Sequence, residues 1–147
     1  MPVLVDTNVL VRAVERNHPL MRIARQALRS LVQKGEVLCV ASQNIAEFWN
    51  VCTRPSTLNG LGNSIATTDR LASRIETFFT ILPDSMDAFR LWRRLIVEHE
   101  VKGAKVHDAR LAAIMQAHGV KEILTFNGAD FRRYNDIVVL DPSLVTP

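Results

Sequence analysis

Apolar positions come in short runs set between helical stripes. Val3-Leu4-Val5 reads as a brief buried strand that ends on Asp6, and helical pattern follows at once from Thr7 to about Glu15. Pro19 opens a second helix. In it Leu20, Ile23, Ala24, Ala27, Leu28 and Leu31 recur at i, i+3, i+4, i+7, i+8 and i+11, an amphipathic stripe that Gly35 ends. Glu36 to Val40 reads as a second strand. Ser42 is placed to cap a third helix reaching about Thr53, with Ile45, Phe48, Trp49 and Cys52 as its core stripe.

Pro55, Gly60 and Gly62 mark residues 54–63 as a connection, after which a fourth helix spans about Ser64 to Phe79. Thr80-Ile81-Leu82 is a third strand, closed by Pro83. Ser85 to Glu100 is helical, with Met86, Phe89, Trp92 and Ile96 on one side. Gly103 breaks it, and Val106 to His118 forms another helix stopped by Gly119. Glu122 to Thr125 and Ile137 to Leu140 are the last two strands. Strands that alternate with helices or helix pairs predict an α/β fold with a parallel sheet covered on both faces. No repeat or low-complexity segment interrupts it, so residues 1–147 are expected to form a single domain.

Composition narrows the class. Of the 147 residues, 48% are apolar and 22% charged, which suits a packed globular chain and excludes a disordered one. No apolar run approaches the ~20 residues of a membrane span. No basic segment followed by a long apolar stretch opens the chain, so a cytoplasmic protein is expected. Cys39 and Cys52 fall on apolar patterns without metal-ligand spacing and read as small buried hydrophobes. The net charge of +3 is a modest basic excess, compatible with a nucleic-acid partner.

Four carboxylates change the picture. Asp6, Glu47, Asp108 and Asp130 each sit at or near a junction between an apolar run and a helix signal. Each has a bland explanation. Asp6 could cap the helix it precedes, and Asp108 could answer the dipole of its own helix from the first turn. Glu47 could be solvated, and Asp130 could cap a short helix after the Asn127-Gly128 turn. Two observations go further. Asp6 would end a buried strand, where a carboxylate needs a partner. Asp108 heads the face carrying Leu111, Ala112 and Met115, so it should point inward. In open α/β sheets ligands bind beyond the carboxyl ends of the strands, and Asp6, Asn127 and Asp130 all follow strand ends. Acids gathered there repel one another unless a hard divalent cation neutralises them. His107, adjacent to Asp108 on a helix, points about 100° away and reads as a structural or surface residue.

The run Val3-Leu-Val-Asp6-Thr-Asn-Val-Leu10, Glu47 in the third helix, Val106-His-Asp108-Ala-Arg-Leu-Ala-Ala113, and Thr125-Phe-Asn127-Gly-Ala-Asp130-Phe131 together resemble the PIN-domain nucleases. The order and spacing hold over nearly the whole chain, and its size looks most like the VapC toxins of toxin–antitoxin pairs. The resemblance implies a three-layer α/β/α sandwich with a central parallel sheet, and a ribonuclease site dependent on Mg²⁺ or Mn²⁺. It implies Asp6 and Asp108 as the main metal ligands, with Glu47 and Asp130 completing the catalytic acids. Thr7, Asn8, Thr125 and Asn127 would orient them. It further implies an RNA substrate, a homodimer and a cognate antitoxin. Arg12, Lys105 or Arg110 would then grip neighbouring phosphates. Other readings are a housekeeping RNA-processing nuclease or a non-catalytic RNA-binding module on the same fold.

Overall fold

The computed structural model describes residues 1–147. Strand β1 (Pro2–Val5) is followed by helices α1 (Thr7–Val14) and α2 (Met21–Gln33), and β2 (Val37–Ala41) by α3 (Ser42–Thr53) and α4 (Ile65–Phe78). Then come β3 (Thr80–Leu82), α5 (Met86–Glu98), α6 (Lys105–Ala117), β4 (Glu122–Leu124) and β5 (Val138–Leu140). Short 3-10 turns occupy Ser56–Leu58, Gly128–Asp130 and Pro142–Leu144.

All five strands are parallel, in the order β3-β2-β1-β4-β5. The period of two along each strand sorts side chains to opposite faces. Val3, Val5, Leu38, Val40 and Leu124 pack with residues of α1 to α4. Leu4, Cys39, Ala41 and Ile123 pack with α5 and α6. The result is the expected α/β/α sandwich, with β1 at its centre. Leu4 pairs with Cys39 on one side and Ile123 on the other, so the ends of β1, β2 and β4 lie level. Asp6, Ser42 and Thr125 therefore emerge at one edge. No helix is long and apolar enough to cross a membrane.

Several local expectations need correction. Ser42 does not cap α3: it is the first helical residue, and its hydroxyl donates to Asp84 over 3.1 Å. Asn44 takes the capping role, reaching back so that its Oδ1 accepts the Ala41 N–H at 2.9 Å. Helix α2 starts at Met21, with Leu20 before it donating its N–H to His18 Nδ1. Strand β4 ends at Leu124, and Thr125 lies just past it. In α5 the stripe Met86-Phe89-Trp92-Ile96 is not the buried line. The helix lies along α6 on Ala88 and Leu95, with Leu91, Trp92 and Ile96 against that core. Met86 and Phe89 overhang it and are 61% and 46% exposed. Trp49 is likewise only half-buried.

Candidate acidic active site

Asp6 sits at the joint between β1 and α1. Its backbone N–H still donates to Leu124 O across the sheet, while its carbonyl receives the first bonds of α1. The side chain does both things the sequence allowed. Oδ1 accepts the Thr7 N–H at 2.8 Å, as a cap. Oδ2 turns to β4, where it accepts the Thr125 hydroxyl at 2.8 Å and, more weakly, Asn8 Nδ2 at 3.4 Å.

Thr125 is the hub of this network. Its Oγ1 donates to Asp6 and accepts from Asn8 Nδ2 at 3.1 Å and from the Asn127 N–H at 3.0 Å. Asn8 Oδ1 in turn accepts the Phe126 N–H. Thr7, also buried, accepts from Asn44 Nδ2 at 3.1 Å, which ties α1 to α3. Such fully partnered buried groups lock side-chain geometry. The expected supporting set thus comes together at Thr7, Asn8 and Thr125. Asn127 contributes only its backbone, since no side-chain hydrogen bond holds its exposed amide.

Asp6 is 9% exposed, and burial pushes its carboxyl up to about 6. The hydrogen bonds from Thr125 and Thr7 oppose that rise, while Glu47 and Asp108 add to it by charge repulsion. Three of the four acids therefore share one electrostatic neighbourhood. Asp108, in the first turn of α6, is also raised, by burial first and then by Asp130, against the pull of Lys105. Asp130 acts on Asp108 rather than on Asp6. It rides on the 3-10 turn at Gly128, which presses on β5 so closely that a Cβ there would meet Val139 Cγ1 at 2.6 Å.

Two features escaped the sequence. Gln43 is buried and bridges helices: its Nε2 donates to Glu47 Oε1 at 3.1 Å and to the His107 carbonyl at 3.0 Å. It thereby sets Glu47, otherwise an exposed side chain, against the start of α6. Its position one turn before Glu47 was the available signal. The second is Lys105, expected to face phosphates. Its ammonium pairs instead with Asp130 and lies 3.9 Å from Asp108. Arg12 and Arg110 are also engaged, with Glu15 and Asp84 respectively.

The donor set suits a hard cation. All candidates are oxygen ligands, burial and then mutual repulsion raise Asp6 and Asp108, and the buried Gln43 Oε1 beside Glu47 has no partner. No three acids lie close enough to ligate one ion directly. A hard divalent cation can be held by one or two carboxylates with waters completing its shell.

The sequence profile of the PIN domain matches residues 3–137, which includes all four acids. The chain belongs to the PIN-domain family. PIN domains are generally nucleases and typically use divalent metal ions. This PIN domain is similar in structure to VapBC2 from Rickettsia felis, solved bound to a DNA fragment from its promoter. The TM-score is 0.73 at 17% identity, over 95% of this chain and 98% of that one. It is similar to FitAcB from Neisseria gonorrhoeae, at TM-score 0.68 and 21% identity over 97% and 98%. It also resembles VapC20 from Mycobacterium tuberculosis, a sarcin-ricin loop cleaving toxin, at 0.66 and 18% over 90% and 95%. No curated protein sequence matches. At these identities the structural likeness shows the fold of this PIN domain, and its chemistry must come from its own residues.

Proposed function

We propose that this PIN domain is a single-domain endoribonuclease dependent on Mg²⁺ or Mn²⁺, and the toxin of a toxin–antitoxin pair in the cytoplasm. The observation that carries the nuclease reading is the buried Asp6 carboxylate, held by Thr125 and Thr7 at the carboxyl edge of the sheet and raised by burial first and then by Glu47 and Asp108. Carboxylates gathered at one edge are costly unless cations offset them, and Lys105 reaches only Asp130 and Asp108. The toxin reading rests on the structural neighbours, which include a toxin–antitoxin complex from Klebsiella pneumoniae and a member of the VapBC family of toxin–antitoxin systems from Mycobacterium tuberculosis.

Asp6 and Asp108 would hold the ion, with Glu47 and Asp130 as the remaining acids. A divalent ion, when bound, supplies Lewis acidity that acidifies water and neutralises charge on a phosphodiester. Thr125 and Thr7 keep the Asp6 carboxylate in one orientation. Gln43 holds Glu47 through Oε1, which leaves its second oxygen available to orient an attacking water or take its proton. Lys105 pairs with Asp130 and lies beside Asp108, and would exchange these acids for a phosphate when RNA arrives.

Incubation of pure protein with mixed cellular RNA, with Mg²⁺ or Mn²⁺ and with chelator, tests the enzyme. Metal-dependent cleavage lost in Asp6→Asn is expected, and its absence in every metal overturns the reading. Expression alone should arrest growth of the host, and Asp6→Asn should relieve it. Harmless expression of active enzyme would favour a housekeeping nuclease.

A further inference from the structure

Beside the acids lies a second site of opposite sign. Helix α5 ends at Glu98, and the chain then turns twice through left-handed backbone, at Glu100 (φ 52°) and Gly103 (φ 60°), before α6 begins at Lys105. These turns set Lys102 and Lys105 around an open pocket of about 680 Å³, completed by His99, Glu100 and Arg133. No apolar residue lines it. Arg133 stands close enough to Lys105 for the two to repel.

Neither Lys102 nor Arg133 forms an ion pair, and Glu100 is the only carboxylate lining the pocket, whereas Lys105 is paired with Asp130 beyond it. The His99 ring is committed to Tyr134, edge-on with centroids 5.1 Å apart. Lys105 belongs to both sites: it lines the basic pocket while its ammonium reaches Asp130 and Asp108. Clustered unpaired cations attract an anion of high charge density. A protein partner would be met by an apolar or aromatic centre, which this pocket lacks. Cationic, polar and open sites are what nucleic-acid phosphates meet.

We propose that the pocket of Lys102, Lys105 and Arg133 holds a backbone phosphate of the RNA strand, adjacent to the phosphodiester presented to the acids. The assignment rests on the ribonuclease reading above. It gives the bound strand a direction across the surface, from Asp6 and Asp108 over Lys105 to Lys102 and Arg133. The arriving phosphate takes the Lys105 ammonium from Asp130.

The test is fluorescence anisotropy of a short, labelled, mixed-sequence single-stranded RNA, in chelator and in Ca²⁺. Titrations between about 50 and 200 mM salt give the salt slope. Lys102→Ala/Arg133→Ala is compared with Arg22→Ala/Arg29→Ala, which removes the same charge from exposed arginines on α2. The first pair should weaken binding about tenfold and reduce the salt slope by about 0.7 for each phosphate no longer neutralised. The α2 pair should shift binding by no more than about twofold. Equal affinity for the Lys102/Arg133 variant and wild type overturns the pocket assignment, as does an equal loss in both variants. If wild type binds RNA in neither condition, the ribonuclease reading falls with it.

Discussion

The Thr125 hydroxyl donates to Asp6 Oδ2 over 2.8 Å, although 119 positions separate the two residues. The parallel pairing of β1 with β4 makes this contact: Val5 lies beside Leu124, so the next residue of each strand leaves the sheet together. Thr125 also accepts from Asn8 and Asn127. One hydroxyl thus connects the two strand ends that frame the site.

Replacing it tests that role. Thr125→Val keeps the shape but takes a donor from the buried Asp6 Oδ2 and an acceptor from Asn8 Nδ2. A loss of about 1–3 kcal/mol in folding free energy is expected, since an unsatisfied buried polar group costs that much. RNA cleavage should fall at least tenfold, because Asp6 is no longer oriented. Urea melts and single-turnover cleavage read the two effects. Wild-type stability and rate together would show that Thr125 is incidental.

Asp108 separates a functional acid from a structural one. Its charge is disfavoured by burial and by Asp130, and its nearest cation is 3.9 Å away. Asp108→Asn should therefore abolish cleavage yet leave stability in chelator unchanged or higher. Saturating Mg²⁺ or Mn²⁺ should stabilise wild type by about 2.7 kcal/mol at a hundred times Kd, and the variant far less. Thermal melts in chelator and in metal decide it. A variant melting well below wild type in chelator would mark Asp108 as a helix-start residue.

The pH dependence carries a definite sign. Asp6 is raised from 3.8 to about 6 in the folded protein, so the folded state binds the proton more tightly than the unfolded one. Its contribution is fully present below about pH 4 and is lost as pH rises through about 6. Two pH units at ~1.4 kcal/mol each make this about 3 kcal/mol. In chelator, wild type should gain stability relative to Asp6→Asn as pH falls from neutral. Saturating metal should remove most of that gain. Denaturant melts of both proteins across the range measure it, and parallel curves would refute the shift.

Gln43 supplies a test of a residue that touches no reacting atom. Gln43→Ala frees Glu47 and removes the link to the His107 carbonyl. Cleavage should fall about tenfold, in line with other groups that orient a catalytic residue. Gln43→Glu should not rescue it, since a carboxylate cannot donate and would repel Glu47. A pH–rate profile shifted in Gln43→Ala would show action through Glu47 rather than through folding.

How much of this was legible in the chain depends on distance along it. Hydrophobic period, Gly35, Gly103, Gly119 and the Pro83 stop marked nearly every element, because backbone preference and amphipathic spacing are local properties. The position of Asp6 between a buried run and a helix was equally local, and so was the place of Asp108 in the first turn of its helix. Neighbour identity across the sheet was not. Tertiary packing decided that Thr125 would hold Asp6, that Gln43 would fasten Glu47 to α6, and that Lys105 would neutralise acids. It also decided that α5 would rest on Ala88 and Leu95 while Met86 and Phe89 overhung that core, partly exposed. An amphipathic pattern states that a helix has an apolar side. Which part of that side is covered depends on where the neighbouring helix ends, and that is settled only when the layers close.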